Sequence, residues 1–278
     1  MNTDHCFRIG STHAVCQDYA ISGIIRLKTV PGATEDIGYA IVSDGCSGAA
    51  FTDIGSRCLT HAARHMLMVA PSAVFNLDAE TIGRVIIDKA ASAVDRLGLT
   101  RGCLQATLLM AVVRGSKARV LMFGDGGIVR QTHGCREVQC VSYDASKPGV
   151  QANAPYYLAH RLSVQDTTDY FSEFSQFRRT TIIDSSGSRT QDEDAGAVTD
   201  LKFDVVEGDQ IVLLSDGIDQ FYDGKFENIH WSIEADALTK FKSTHGEFVT
   251  RRVQAHERVC RENQVSHHDD LSVAAIIV

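Results

Sequence analysis

Apolar residues recur along the chain in two rhythms. Three short, nearly unbroken apolar runs each end in Asp-Gly: Ala40-Ile41-Val42-Ser43-Asp44-Gly45, Val120-Leu121-Met122-Phe123-Gly124-Asp125-Gly126 and Ile211-Val212-Leu213-Leu214-Ser215-Asp216-Gly217. Runs of this length bounded by turn residues predict buried strands. An Asp-Gly at the end puts a carboxylate at a sheet rim, where the chain turns sharply or approaches a ligand. Elsewhere the apolar spacing is helical. Ile54, Cys58, Ala62, Met66 and Val69 form one stripe, and Ile82, Val85/Ile86, Ala90, Ala93 and Leu97 form a second, with Asp78 placed as N-cap. Two further helices are predicted over Ile233–Phe241 and Phe248–Cys260.

More strands are predicted over Phe7–Ser11, Tyr19–Lys28, Gly38–Ser43, Ile128–Gln131, Glu137–Val141 and Ser272–Val278, with a turn at Pro31-Gly32. Gln105–Arg114 and Lys117–Phe123 read as a hairpin closed by Gly115-Ser116. Strand groups without intervening helices argue for antiparallel sheets rather than a βαβ chain. Residues 142–200 are the least regular part. Within them Tyr170, Phe174 and Phe177 have helical spacing and are expected to pack, and the polar run Ser185 to Gly196 is expected to be a mobile loop. No linker or composition shift divides the 278 residues, so a single domain is expected over 1–278, with 142–200 as a variable, flap-like segment.

The net charge of −8, with no Lys/Arg-rich block, argues against a nucleic-acid partner, whose binding rests on cationic neutralisation. No apolar run approaches a membrane span, and the N-terminus carries no basic region followed by an apolar segment, so neither a membrane partner nor a signal peptide is expected. The eight cysteines form no C-x-x-C pair, which predicts reduced thiols in the cytoplasm and no zinc site.

Asp18, Asp44, Asp125, Asp216 and Asp269 all fall at predicted strand boundaries. Hard divalent cations prefer oxygen ligands and retained water. Several aspartates with a glycine carbonyl would suit two ions, which together generate hydroxide at neutral pH and stabilise in-line displacement at phosphorus.

The segments QDYA, VSDGCSGA, FGDGG, LLSDGID and DDLSV, in this order and spacing from Gly10 to Val278, resemble the metal-dependent protein phosphatases of type 2C, and most closely a bacterial branch. The resemblance implies an α+β fold, a four-layer αββα sandwich of two antiparallel sheets flanked by helix pairs. It implies a serine/threonine phosphatase acting on phosphorylated protein through direct attack by hydroxide bridging two Mg²⁺ or Mn²⁺ ions. Asp44 then matches the bridging ligand, the Gly45 carbonyl a further ligand, and Asp216 and Asp269 further metal-binding carboxylates. Asp18 matches a group holding a metal-bound water, and Asp125 the ligand of a third, weaker ion.

The chain departs from the family pattern in three places. His13 stands where an arginine usually grips the substrate phosphate, and a histidine cannot reproduce the bidentate fork. Cys46 stands where some members have histidine, and Gln220, with Asp219 one position early, replaces a ligand of the third ion. Two other readings stay open: an inactive regulatory module on the same fold, and a metallophosphoesterase for small esters. A cysteine phosphatase built on Cys58 to Arg64 is rejected, because that segment lacks glycine and lies in a helical stripe.

Overall fold

A computed structural model describes residues 1–30, 33–147, 149 and 153–278. The predicted Pro31-Gly32 turn lies outside the described residues. The chain runs β1 (Asn2–Arg8), β2 (Tyr19–Val30), β3 (Ala33–Ser43), α1 (Thr52–Val69), α2 (Ala73–Asn76), α3 (Ala79–Arg96), β4 (Leu108–Arg114), β5 (Lys117–Phe123), β6 (Gly126–Thr132) and β7 (Cys135–Ala145). It continues with α4 (Val164–Glu173), β8 (Gln176–Asp184), β9 (Gly187–Asp194), β10 (Thr199–Asp204), β11 (Gln210–Leu214), β12 (Phe221–Tyr222), α5 (Trp231–Thr239), α6 (Phe248–Glu262), β13 (Ser266–His267) and β14 (Leu271–Ile277).

Two antiparallel sheets carry the architecture. One is ordered β1-β14-β11-β6-β7-β8-β9 and the other β10-β5-β4-β3-β2. Three apolar layers glue four structural ones. Ile41, Met110, Val112 and Leu121 point outward against Leu59, Ala63, Met66, Ile82 and Ile86 of α1 and α3. Ala40, Val42, Leu109, Ala111, Val120 and Met122 point inward and meet Ile128, Ile211, Leu213, Ala274 and Ile276 between the sheets. Val212, Leu214, Val273 and Ala275 face Trp231, Ala235, Leu238 and Val253 of α5 and α6. This is the expected αββα sandwich, and it explains the unbroken apolar runs: consecutive strand residues point to opposite faces, and both faces are covered.

β11 shows what that achieves. All four residues from Ile211 to Leu214 are fully buried. At about 1.5–3 kcal/mol per large buried side chain, they hold the strand end against a few kcal/mol of repulsion among clustered carboxylates.

The Asp78 cap is present, its Oδ1 accepting from Thr81 N–H at 2.8 Å. The β4–β5 hairpin turns at Gly115 (φ 58°), pairing Arg114 with Lys117, although β4 starts at Leu108 rather than Gln105. Other boundaries differ more. The first strand is Asn2–Arg8 rather than Phe7–Ser11, because its edge position against β14 needs little apolar content: only Cys6 is buried. The α1 stripe is rotated by about one position. Leu59, Ala62, Ala63, Met66 and Leu67 face the sheet, Val69 is exposed, and so is Val85 in α3.

The expectation of a mobile loop at Ser185 to Gly196 is overturned. Gly187–Asp194 is β9, paired with β8, and its sequence is polar because the strand is exposed at a sheet edge. Cross-strand pairs replace apolar packing, with Arg179 Nε donating to Asp192 Oδ1 at 2.8 Å and Arg178 to Glu193 Oε2 at 2.6 Å. Tyr170 is buried in α4 as expected, but the helix ends before Phe174, and Phe177 belongs to β8. Among the described residues no helix is long and apolar enough to cross a membrane.

Candidate metal centre

The carboxylates gather at one rim of the sandwich. Asp18 precedes β2, Asp44 follows β3, Asp125 sits in the β5–β6 turn, Asp216 opens a 3₁₀ turn after β11, and Asp269 precedes β14. Sheet topology does the gathering. β2 and β3 are neighbours in one sheet, while β6, β11 and β14 are consecutive in the other. Antiparallel pairing therefore brings strand starts and strand ends to the same edge.

Local bonds fix each position. Ser43 Oγ donates to the Thr107 carbonyl at 2.6 Å, Asp44 N–H donates to Thr107 Oγ1 at 3.0 Å, and Thr107 N–H donates to the Asp44 carbonyl at 2.8 Å. Ser272 N–H donates to Ser215 Oγ at 2.8 Å and Ser215 N–H to the Ser272 carbonyl at 3.0 Å, locking the end of β11 to the start of β14. The glycines answer to packing. A Cβ on Gly45 would lie 2.9 Å from the Thr52 carbonyl and 3.0 Å from that of Gln17. A Cβ on Gly217 would lie 1.9 Å from the Asp270 carbonyl, and one on Gly10 would lie 2.3 Å from the Asp269 carbonyl carbon. The Asp269-Asp270 backbone is thus clasped between two glycines.

Electrostatics register the crowding. Burial, followed by the charges of Asp216 and Asp18, holds Asp44 well above the usual carboxylate range. Burial pushes Asp18 up to about 7 against the opposing influence of Asp44, Ser215 and Ser272, and the Asp216 charge adds to the rise. Asp269 is raised to about 6 by burial and by Asp216. Asp125 is raised by burial, then by the charges of Asp216 and Asp269. Burial also raises Asp219, with Asp216 adding to the effect and His230 opposing it.

The donor set suits a hard cation. Both oxygens of fully buried Asp18 and Oδ1 of Asp216 lack a hydrogen-bond partner, and an unpartnered buried carboxylate is costly without a cation. Among the described residues no lysine or arginine forms an ion pair with Asp18, Asp44, Asp125, Asp216 or Asp269; their one cationic neighbour in such a contact is His13. Among the described residues, too, no three His, Cys, Asp or Glu side chains stand in positions that could hold a metal ion as they are. The all-oxygen set remains an open cluster of the kind that cation and water complete.

His13 is placed beside this cluster. Its Nε2 lies 3.6 Å from Asp269 Oδ1 and its Nδ1 lies 3.1 Å from Asp270 Oδ2. Burial opposes its protonation, but Asp270, Asp269 and Asp18 outweigh burial and raise its pKa. Cys46 follows Gly45 and donates its N–H to the Gln105 carbonyl at 2.9 Å. Cys58 lies within α1, away from any phosphate-cradling loop.

Asp270 is the residue that the sequence reading passed over. It is buried, and its two oxygens accept from Gly10 N–H at 2.7 Å and Gln17 N–H at 2.6 Å. The one signal was the doubled acid in Asp269-Asp270: two adjacent carboxylates at a strand start point opposite ways, so one faces the rim and the other the interior.

Comparison with known proteins agrees with the αββα fold. A profile described as Protein phosphatase 2C matches residues 11–264. No curated protein sequence matches. Among solved structures, the chain is similar to PppA, a regulatory component of T6SS in Pseudomonas aeruginosa, with 17% identity and a TM-score of 0.53 over 98% of this chain and 95% of that one. It is similar to the S. agalactiae serine/threonine phosphatase, with 14% identity and a TM-score of 0.54 over 99% and 98% of the two chains. It also resembles the catalytic domain of the serine/threonine protein phosphatase PstP in complex with two manganese ions, with 14% identity and a TM-score of 0.53 over 100% and 99%. At these identities the structural likeness concerns the fold.

Proposed function

The chain belongs to the protein phosphatase 2C family, and from that premise we propose that it is a phosphoserine/phosphothreonine protein phosphatase dependent on Mg²⁺ or Mn²⁺. One observation carries the reading: five carboxylates from distant parts of the chain converge on one rim, two of them, Asp18 and Asp216, with buried, unpartnered oxygens. A fold has no reason to keep such mutually destabilising charges together unless cations join them.

Asp44, Asp216, Asp269 and the Gly45 carbonyl would hold two ions, with Asp125 beside an accessory third. When bound, such ions lower the pKa of water and polarise a phosphoryl oxygen. Asp18, buried beside Asp44 with two unpartnered acceptor oxygens, would orient water there. His13, with its ring nitrogens facing Asp269 and Asp270, would add positive charge at the rim beside an entering phosphate when protonated. Thr107, Ser215 and Ser272 keep the carboxylate positions rigid, which preorganises the site.

The test is hydrolysis of p-nitrophenyl phosphate and of phosphoserine peptides with added Mn²⁺. Wild-type turnover, lost in chelator and in both Asp44→Asn and Asp216→Asn while circular dichroism is unchanged, is the expected result. A protein that folds and binds Mn²⁺ but turns over no phosphate ester would overturn the enzymatic reading. Efficient hydrolysis of small esters with no gain for phosphopeptides would overturn the assignment to protein substrates.

A further inference from the structure

Beside His13 lies a cleft of about 550 Å³, walled by Thr12, His13, Val15, Phe51, Asp53 and Ile54. Two of its apolar walls are exposed, Val15 by 56% and Phe51 by 57%. Phe51 breaks three local rules at once. Its backbone is left-handed (φ 61°, ψ 27°), a region that bulky side chains avoid. It occupies the N-cap of α1 with no side-chain cap, where Ser, Thr, Asp or Asn is preferred. It also presents an aromatic ring to solvent. Residues that violate local preference in an otherwise consistent fold concentrate at functional sites.

The surrounding wall is rigid. Gln17 Nε2 donates to Thr52 Oγ1 at 2.8 Å, Ser56 Oγ donates to the Gln17 carbonyl at 2.7 Å, and Gln17 N–H is held by Asp270. Asp53 is the one carboxylate in the wall, and Arg57 lies 3.8 Å from it on the next turn of α1.

We propose that this cleft seats the polypeptide flanking the phosphorylated residue and selects an apolar side chain next to it, gripped between Val15 and Phe51. The inference rests on the phosphatase reading, since continuity with that site through His13 identifies the occupant. With a phosphate at the carboxylate rim, the adjoining chain has a path past His13 into the cleft with its apolar walls.

The experiment compares phosphoserine peptides differing only in the neighbouring residues (Leu or Phe against Gly, Ser or Asp), each expressed as kcat/KM relative to p-nitrophenyl phosphate with Mn²⁺. Peptide binding is read in parallel by fluorescence anisotropy. The apolar-flanked peptides should be preferred about tenfold, as one apolar side chain in a pocket allows. Phe51→Ala and, independently, Val15→Ser should each erase most of that preference through KM. Equal kcat/KM across the panel, or a preference unchanged in both variants, overturns the inference. Absent turnover of p-nitrophenyl phosphate, with selective peptide binding retained, would instead overturn the catalytic reading and leave the cleft assignment standing.

Discussion

The N–H of Gln17 donates to Oδ2 of Asp270 at 2.6 Å, joining residues 253 positions apart. With Gly10 N–H on the other oxygen, one carboxylate ties down both ends of the loop that carries His13, while Ser11 and Thr12 bond the His267 and His268 carbonyls between them. Asp270→Ala leaves two backbone donors unpaired in a buried place, at about 1.5–3 kcal/mol for each bond to a charged acceptor. Urea unfolding should show a loss of about 3–6 kcal/mol, and Asp270→Asn, which keeps one acceptor oxygen, about half of that. A change under about 1 kcal/mol in Asp270→Ala would show that the loop is held elsewhere.

Gly217 is required by contact, since its added Cβ would meet the Asp270 carbonyl at 1.9 Å. Gly217→Ala should therefore cost more than about 3 kcal/mol, or prevent folding. Gly115→Ala is the control. Its turn has φ 58° but nothing within 4 Å of the added carbon, so only the left-handed penalty of about 1–2 kcal/mol applies. Equal losses in the two variants would contradict the steric argument.

Metal removal should destabilise the protein in a pH-dependent way. Asp18, Asp44, Asp125 and Asp269 all have raised pKa values, so the folded state binds protons more tightly than the unfolded chain. The sign follows: in chelator, the cluster's contribution to stability is greatest near about pH 4 and is lost as pH rises toward about 7, where Asp18 loses its proton. Mn²⁺ should restore the melting temperature at pH 7 and have little effect at pH 4. A chelated protein equally stable across that range would refute the crowding.

A second titration lies between α5 and α6. His256 Nε2 lies 2.5 Å from Glu234 Oε2, tying α6 to α5, and Cys260 Sγ is 3.4 Å from the same nitrogen. Burial opposes protonation, but these partners outweigh it and raise His256 to about 9. Because the folded pKa exceeds the unfolded value, the stabilisation is complete below about pH 6.5 and is lost as pH rises through about 9. His256→Gln should flatten the stability profile between those limits, measured by thermal melts. An unchanged slope would place the proton elsewhere.

How far the structure was legible in the sequence depended on what held each element. Ala40–Val42, Val120–Phe123 and Ile211–Leu214 were plain because both strand faces are covered and the apolar runs are unbroken. β9 was invisible for the opposite reason: Arg178, Arg179, Asp192 and Glu193 hold it through charge pairs, which read as loop composition. At the candidate site, each aspartate followed by a turn residue could be picked out, whereas Asp270 could not. Its importance lies in two main-chain donors from a loop at the other end of the chain, and no local pattern reports a contact of that range.

The double-sided burial of β11 has a kinetic corollary. A strand in contact with both the inter-sheet core and the α5–α6 layer cannot be released by either layer opening alone. Its amides should exchange with solvent only when the whole molecule opens, so Asp216 sits on one of the last segments to come apart. A locally frayed molecule, with β9 or β1 loosened at the sheet edges, would keep its carboxylate cluster assembled.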